Sequence, residues 1–405
     1  MAHVDKAVKQ YLSQYTDPMV PDLAQITGQW DHVLIVPVCD EHPDFMRQLM
    51  SHHGHELVLL IVVVNRPQKH PRSTDWQLSN HTLVCQWQAA AELLVSISDE
   101  VTLLSTVDGF DVLLVDHNLL PYEDHKGVGL ARKVAADMAL KLVVTGHIKT
   151  PWIFSTDADV ILPAGYFQVP EQIGGDDLAC SLRFQHISTD PQLLALQDAY
   201  DFKMYYYQQG IRFIGSAYNY IPLGSTLIIH AEAYAKIRGF PVRSGGEDFY
   251  LLNKVAKLGG VFQPEQPVVE INVRMSERVP FGTGPAIRKI RADIEQGQLP
   301  LYYHPRIFVI LKKWRNQLLD YYHQQQLPVA DEGLNECWDM ETVLVKAMGQ
   351  TNSEQRWQQF IHEWLDAFKL LKSVHFLRGR YPSLDRESLL MEPGYALVTG
   401  GERSQ

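Results

Sequence analysis

Residues 56–64 read Glu-Leu-Val-Leu-Leu-Ile-Val-Val-Val, an almost unbroken aliphatic and largely β-branched run. A strand with one wet face alternates polar and apolar side chains, and this run does not. It must therefore be covered on both faces, as an interior strand of a parallel sheet is. At this length it cannot cross a bilayer. Three further runs, residues 31–38 (DHVLIVPV), 111–116 (DVLLVD) and 152–156 (WIFST), have the same character, and the stretches between them carry helical spacing. Strands alternating with helices predict an α/β layer with a mostly parallel sheet flanked by helices. Ligands in such sheets bind beyond the carboxyl ends of the strands, which here are Asp40, Asn65, Asp116 and Asp157.

The remaining pattern predicts a polar loop over 68–80 and helices over 81–98 and 129–144. Strands follow over 178–184, 223–230 and 268–274, interleaved with helices over 190–209, 231–238 and 248–258. After about residue 300 the pattern is purely helical. Phe308, Leu311, Trp314, Leu318 and Tyr322 recur at helical steps over 306–322, as do Trp357, Ile361, Trp364, Phe368 and Leu371 over 354–373. The expected organisation is a helical leader (1–30), an α/β layer (31–300) and a helical C-terminal region (301–405). Four of the eight tryptophans lie in that last region. Packing of these helices on the α/β layer is the favoured reading, with contact to a membrane surface or a partner as the alternative.

Thirty-six basic against 47 acidic residues give a formal charge of −11, which argues against a general nucleic-acid binder. The N-terminus has no signal-type segment, so a cytoplasmic protein is expected. Cys39, Cys85, Cys180 and Cys337 are too scattered for a metal or disulfide pattern and are expected as reduced thiols, mostly in the core.

Three motifs carry chemistry. Asp157-Ala158-Asp159 directly follows a strand, and two carboxylates in such a turn can hold Mg or Mn bridging the phosphates of a nucleotide diphosphate. His230 or His304 is a possible further ligand. Gly245-Gly246-Glu247-Asp248 opens a helix whose apolar face is Leu251, Val255 and Leu258; its acids either complement the helix dipole or supply a general base. Lys126-Gly127-Val128-Gly129 leads into the helix bearing Arg132 and Lys133, a place where backbone amides can favour phosphate. Beyond these, Arg274 to Pro285 joins Arg274 and Arg278 to a Gly-x-Gly loop that can close over a diphosphate. The segment His52-His53-Gly54-His55 lies before the second strand, away from the carboxyl edge, and reads as a helix end rather than a metal site.

In these elements, over roughly residues 31–285, the chain resembles the family-2-like glycosyltransferases with the GT-A fold. The resemblance rests on Val-Pro-Val-Cys-Asp-Glu, Gly-x-Gly-x-Ala-Arg-Lys, Thr-Asp-Ala-Asp, Gly-Ser-Thr-Leu and Arg-Gly-Phe followed by Gly-Glu-Asp-Phe-Tyr-Leu, in matching order and spacing. It implies that Pro37, Asp40 and Glu41 lie near the nucleotide base, Arg132 near the base or diphosphate, and Asp157 and Asp159 at the ribose, metal and diphosphate. Asp248 would be the catalytic base and Glu247 an acceptor or donor-sugar contact. The chain departs from the family at Asn65-Arg66-Pro67, where an Asp-rich turn is usual, so the base is left open. It also lacks the Gln-x-x-Arg-Trp motif of processive synthases. The expected activity is a metal-dependent, inverting hexosyl transfer from a nucleotide-diphosphate sugar to an acceptor hydroxyl. The alternatives are a retaining transferase resembling glucosyl- or mannosyl-glycerate synthases, and a non-catalytic sugar-nucleotide-binding scaffold.

Overall fold

The structure is a computed structural model and describes residues 5–54, 56–275, 278 and 282–401. In chain order the first elements are α1 (Lys6–Gln14), β1 (His32–Val38), α2 (Phe45–Leu49), β2 (Val58–Val64), α3 (Ser73–Ala90), β3 (Glu92–Ser96), β4 (Val101–Ser105), β5 (Asp111–Asp116), α4 (Gly127–Val144), β6 (Trp152–Ser155), β7 (Val160–Ile161), β8 (Asp177–Ser181), β9 (Arg183–Ile187) and α5 (Pro191–Ile214). They are followed by β10 (Leu227–His230), α6 (Ala231–Lys236), α7 (Glu247–Val255), β11 (Gly260–Phe262), β12 (Val268–Asn272) and α8 (Thr283–Glu295). The C-terminal helices are α9 (Pro305–Gln324), α10 (Glu332–Cys337), α11 (Met340–Met348), α12 (Glu354–Trp364), α13 (Ala367–Arg378), α14 (Arg386–Met391) and α15 (Pro393–Thr399). The chain forms two compact units, residues 1–194 with 222–286, and residues 195–221 with 287–405.

The first unit is built on a nine-stranded sheet ordered β11-β8-β10-β6-β1-β2-β5-β4-β3. Its centre, β6-β1-β2-β5, is parallel, and only β4 and β10 run against the other strands. Every residue of β2 is buried, as its unbroken apolar run requires. Helix α4 packs on β1 and β2 and is itself buried over most of its length. The predicted α/β layer is therefore present. Pro37 is tolerated within β1 because its missing N–H points to the β6 side. Ile35 O still accepts from Thr156 N there, but β6 has ended at Ser155, whereas Val38 O serves Asn65 N on the other side. A second sheet, β7-β12-β9, begins immediately after Asp159. The leader helix α1 is tied to α4 through Asp137, which accepts from Tyr11 Oη (2.6 Å), Tyr234 Oη (2.7 Å) and Lys133 Nζ (2.9 Å).

Several sequence expectations need correction. The stretch 68–80 is not all loop, because α3 starts at Ser73. Its first two turns bury Ser73, Trp76 and Asn80 ahead of Leu83, Val84 and Trp87, and the polar members of that face are what an apolar periodicity passes over. The helix expected over 81–98 stops at Ala90. Beyond it lies the edge strand β3, whose Leu93 and Leu94 are exposed, paired antiparallel with β4. Two strands, β8 and β9, replace the one expected over 178–184, and each belongs to a different sheet. Helix α7 ends at Val255, which leaves Leu258 exposed. All four cysteines are free, but only Cys180 is buried; Cys39 is half-buried, and Cys85 and Cys337 are exposed.

In the second unit α9 packs against α12, α13 and α15. Trp314 and Trp357 are fully buried, and their indole N–H groups donate to Asn335 Oδ1 and Leu318 O, each at 2.9 Å. Among the described residues no helix is long and apolar enough to cross a membrane. The helix expected over 354–373 is broken at Leu365-Asp366, where Asp366 caps α13 by accepting from Lys369 N (3.1 Å). The break resets the buried face to Leu370, Val374 and Leu377, leaving Phe368 39% exposed. Leu370→Ala should accordingly destabilise the protein by about 2–5 kcal/mol, and Phe368→Ala by no more than about 1 kcal/mol. Chemical denaturation of the two variants checks the reset register.

Candidate functional site

The carboxyl edge of the parallel strands gathers the acids singled out by sequence. Asp157 and Asp159 follow β6, Asp40 and Glu41 follow β1, and Glu247 and Asp248 open α7. Gly246 caps α7 at φ +70°, a left-handed conformation that suits glycine. At the centre lies Arg132 of α4, only 3% exposed. Its Nη1 donates to Glu247 Oε1 (2.8 Å), its Nη2 to Asp157 Oδ1 (2.5 Å) and its Nε to Ser155 Oγ (3.3 Å). Ser155 Oγ in turn donates to Gly224 O (3.0 Å) and Thr156 Oγ1 to Ser225 O (3.0 Å). Gly224 N closes the ring by donating to Asp248 Oδ2 (2.9 Å), while Phe249 N donates to Asp248 Oδ1 (2.7 Å).

A second cluster adjoins the first. Arg274 forms an ion pair with Asp159, its Nε lying 2.7 Å from Oδ2, and donates through Nη1 to Glu41 Oε2 (2.8 Å), and Arg278 Nη1 also donates to Glu41 and the Cys39 carbonyl. Asp40, at φ +57°, donates its N–H to Asn80 Oδ1 (2.9 Å), and its carboxylate lies 3.6 Å from Arg72. Asn65 is buried; its carbonyl accepts from Asn80 Nδ2 (3.1 Å), so α3 fixes the ends of both β1 and β2. Pro37 is half-buried within β1.

Burial leads the titration behaviour, and the neighbouring charges modify it. Burial raises the Asp157 carboxyl above its ordinary range, against the pull of Arg132, with Asp159 pushing the same way. Asp248 is likewise raised by burial, opposed by Arg132 and by its two backbone amides. Glu247 is pushed up to about 7 by burial, with Arg132 lowering and Asp248 raising it. Burial works against the charge of Arg132, but Asp157 and Glu247 outweigh it and hold its pKa above the ordinary value.

The structure also shows what sequence reading missed. Ser155 and Gly224 had no assigned role, yet a Cβ on Gly224 would lie 2.4 Å from Arg132 Nη2. Only glycine lets the backbone at 224 pass this close, and the Gly-Ser-Thr-Leu motif was the available signal. Gly127 and Gly129 do not form an open phosphate loop. A Cβ on Gly129 would sit 2.6 Å from Pro241 O, and Gly129 N donates to Arg243 O (3.0 Å), so residues 241–244 cover this end of α4. His230 and His304 are helix N-caps of α6 and α9. His53 Nδ1 lies 3.2 Å from Glu56 Oε1; His55, Ser276, Glu277, Val279, Pro280 and Phe281 lie outside the described residues.

Among the described residues no group of three or more His, Cys, Asp or Glu side chains is arranged to hold a metal ion. The donor set nonetheless suits a shared site. Asp157 and Asp159 each engage one oxygen with an arginine and keep the other without a protein partner among the described residues. Five carboxyl groups (Glu41, Asp157, Asp159, Glu247 and Asp248) face three guanidiniums (Arg132, Arg274 and Arg278), so acids outnumber bases in the cluster. Mg and Mn are commonly held by one or two carboxylates, with substrate phosphates and water completing the shell.

No protein-family model matches the chain, and no curated protein matches it. Among solved structures, the apo WbbM bifunctional glycosyltransferase is 11% identical, with 59% of this chain and 40% of that one covered and a TM-score of 0.30. GalNAc-T7 with UDP, GalNAc and Mn2+ is 9% identical, with 88% of this chain and 59% of that one covered and a TM-score of 0.35. The chain thus spans less than two thirds of either neighbour. At identities and scores this low, the site has to be judged on its own geometry.

Two outcomes follow from that geometry. Gly224→Ala should displace Arg132 and lower stability by about 1–3 kcal/mol, readable as a fall in the unfolding midpoint. Glu247, raised from 4.5 to about 7 in the fold, contributes stability that is present below pH 4.5 and lost as pH rises to about 7. Thermal stability should decline across that window, and Glu247→Gln should flatten the decline.

Proposed function

We propose that the chain is a glycosyltransferase of GT-A type that moves a sugar from a nucleotide-diphosphate donor to an acceptor hydroxyl with inversion. The observation that carries this reading is the Asp248 carboxylate, fixed by the Gly224 and Phe249 amides in the same cluster as the Asp157–Asp159 pair. A general base has to be held within reach of the reacting hydroxyl with a pKa raised toward the working pH, and burial raises that of Asp248. Glu247, buried on Arg132, acts as a positioning residue: it keeps the guanidinium aimed at Asp157.

Asp248 takes the proton of the acceptor hydroxyl as that oxygen attacks the anomeric carbon, and the bond to the nucleoside diphosphate breaks on the opposite face. Arg274 and Arg278 supply donors for the departing diphosphate. A Mg or Mn ion held by Asp157 and Asp159 would add positive charge beside the same leaving group. Pro37, Asp40, Glu41 and Asn65, gathered at the ends of β1 and β2, form the wall of the donor subsite on this reading.

A thermal-shift screen of nucleotide-diphosphate sugars, with and without manganese, tests the donor assignment, since binding stabilises the fold by mass action. For the mechanism, Asp248→Asn should lower turnover by about 10²- to 10⁴-fold with donor affinity nearly unchanged. A carboxylate that only complements the helix dipole contributes about 0.3–1 kcal/mol. Near-normal turnover in the variant would therefore remove Asp248 as the base.

A further inference from the structure

The two carboxylates of the Asp-x-Asp turn are not equivalent. Asp157 is paired with Arg132, which is buried and engaged on three of its nitrogens. Asp159 is paired with Arg274, whose side chain is about a third exposed and extends from the chain just past β12. Strand register explains the second pairing. Val160 and Ile271 are opposite each other in the antiparallel β7–β12 pair, and Asn272 donates to Asp159 O through both its N–H (2.9 Å) and its Nδ2 (3.0 Å). The backbone of Asp159 is thereby pinned, and Arg274, two residues on, is delivered to its carboxylate. Of the two partners, the long, partly exposed arginine is the one able to move.

A cation reaching Asp159 therefore meets a guanidinium already on that carboxylate, and like charges at such separation oppose one another. A diphosphate offers Arg274 the same kind of acceptor as Asp159 and Glu41, arranged for the guanidinium fork. We propose that Arg274 competes with the divalent cation for Asp159, and that the donor diphosphate relieves this competition by taking the guanidinium, so that cation and donor bind as a coupled pair. The inference rests on the donor reading above for its second half only. Coupling of this kind is reciprocal, each ligand raising the affinity of the other by the same factor.

Mn2+ binding to the full-length chain, measured by calorimetry alone and with saturating UDP, GDP, CDP, ADP or dTDP, tests the proposal. The wild type should bind Mn2+ weakly by itself and more tightly with one of these nucleotides. In Arg274→Met, nucleotide-free Mn2+ affinity should rise about tenfold or more, the equivalent of one charge-assisted hydrogen bond, and the gain from nucleotide should shrink by the same factor. Asp159→Asn should abolish the ion in both backgrounds. An equal or weaker nucleotide-free affinity in Arg274→Met overturns the competition, as does an ion that survives Asp159→Asn. Should Mn2+ tighten in Arg274→Met while no nucleoside diphosphate binds under any condition, the competition stands and the donor reading falls. Arg274→Lys, which keeps the charge but cannot bridge Asp159 and Glu41, should fall between wild type and Arg274→Met.

Discussion

The buried guanidinium of Arg132 is the constraint on which the site depends. A charge this deep is tolerable only when paired on several sides, and removing one partner from such a group typically costs about 3–5 kcal/mol. Its partners come from three other places in the chain: Ser155 and Asp157 at the end of β6, Glu247 at the start of α7, and the Gly224 backbone that leaves it room. Helix α4 can place Arg132 there because it lies flat on β1 and β2, and α1 braces it from outside through Asp137. One ion-pair cluster thus fixes the relative positions of four segments that are far apart in sequence.

That cluster is unbalanced. Arg132 satisfies one oxygen each of Asp157 and Glu247, yet burial still raises both carboxyls and that of Asp248. Raised acids are poor stabilisers at neutral pH and useful chemical groups, because a proton or a cation bound there relieves the strain on the fold. Stability and reactivity accordingly draw on the same carboxylates.

How much of this the sequence discloses depends on which physical force holds each element. Strands β1, β2, β5 and β6 are legible because burial on both faces demands unbroken apolar runs. Helix α3 is not, since Ser73 and Asn80 face inward to satisfy the ends of neighbouring strands: Ser73 Oγ donates to Pro67 O, and Asn80 serves Asp40 and Asn65. Strand β3 hides for the opposite reason, being an edge strand with exposed leucines and so no alternation. The acids of the site could be picked out by motif, as could Arg132, Arg274 and Arg278. Their pairings could not, because Arg132 meets Glu247 across 115 residues and Arg274 meets Glu41 across 233.

The place of the Asp-x-Asp turn in the fold gives it a further property. Asp157 follows, two residues on, the end of β6 in the large sheet, while Asp159 is followed at once by β7 of the small one, so the turn is the junction between two sheets. Each carboxylate takes its arginine from a different side: Asp157 from α4, which packs on the large sheet, and Asp159 from the chain leaving β12 in the small one. A ligand that bridges the two carboxylates must therefore accept both sheets in their present relation, and any slip of β12 along β7 moves Arg274 and the Asn272 clamp together. Register in a short antiparallel pair is in this way converted into the spacing of charged groups, without any change in the large sheet that carries the rest of the site.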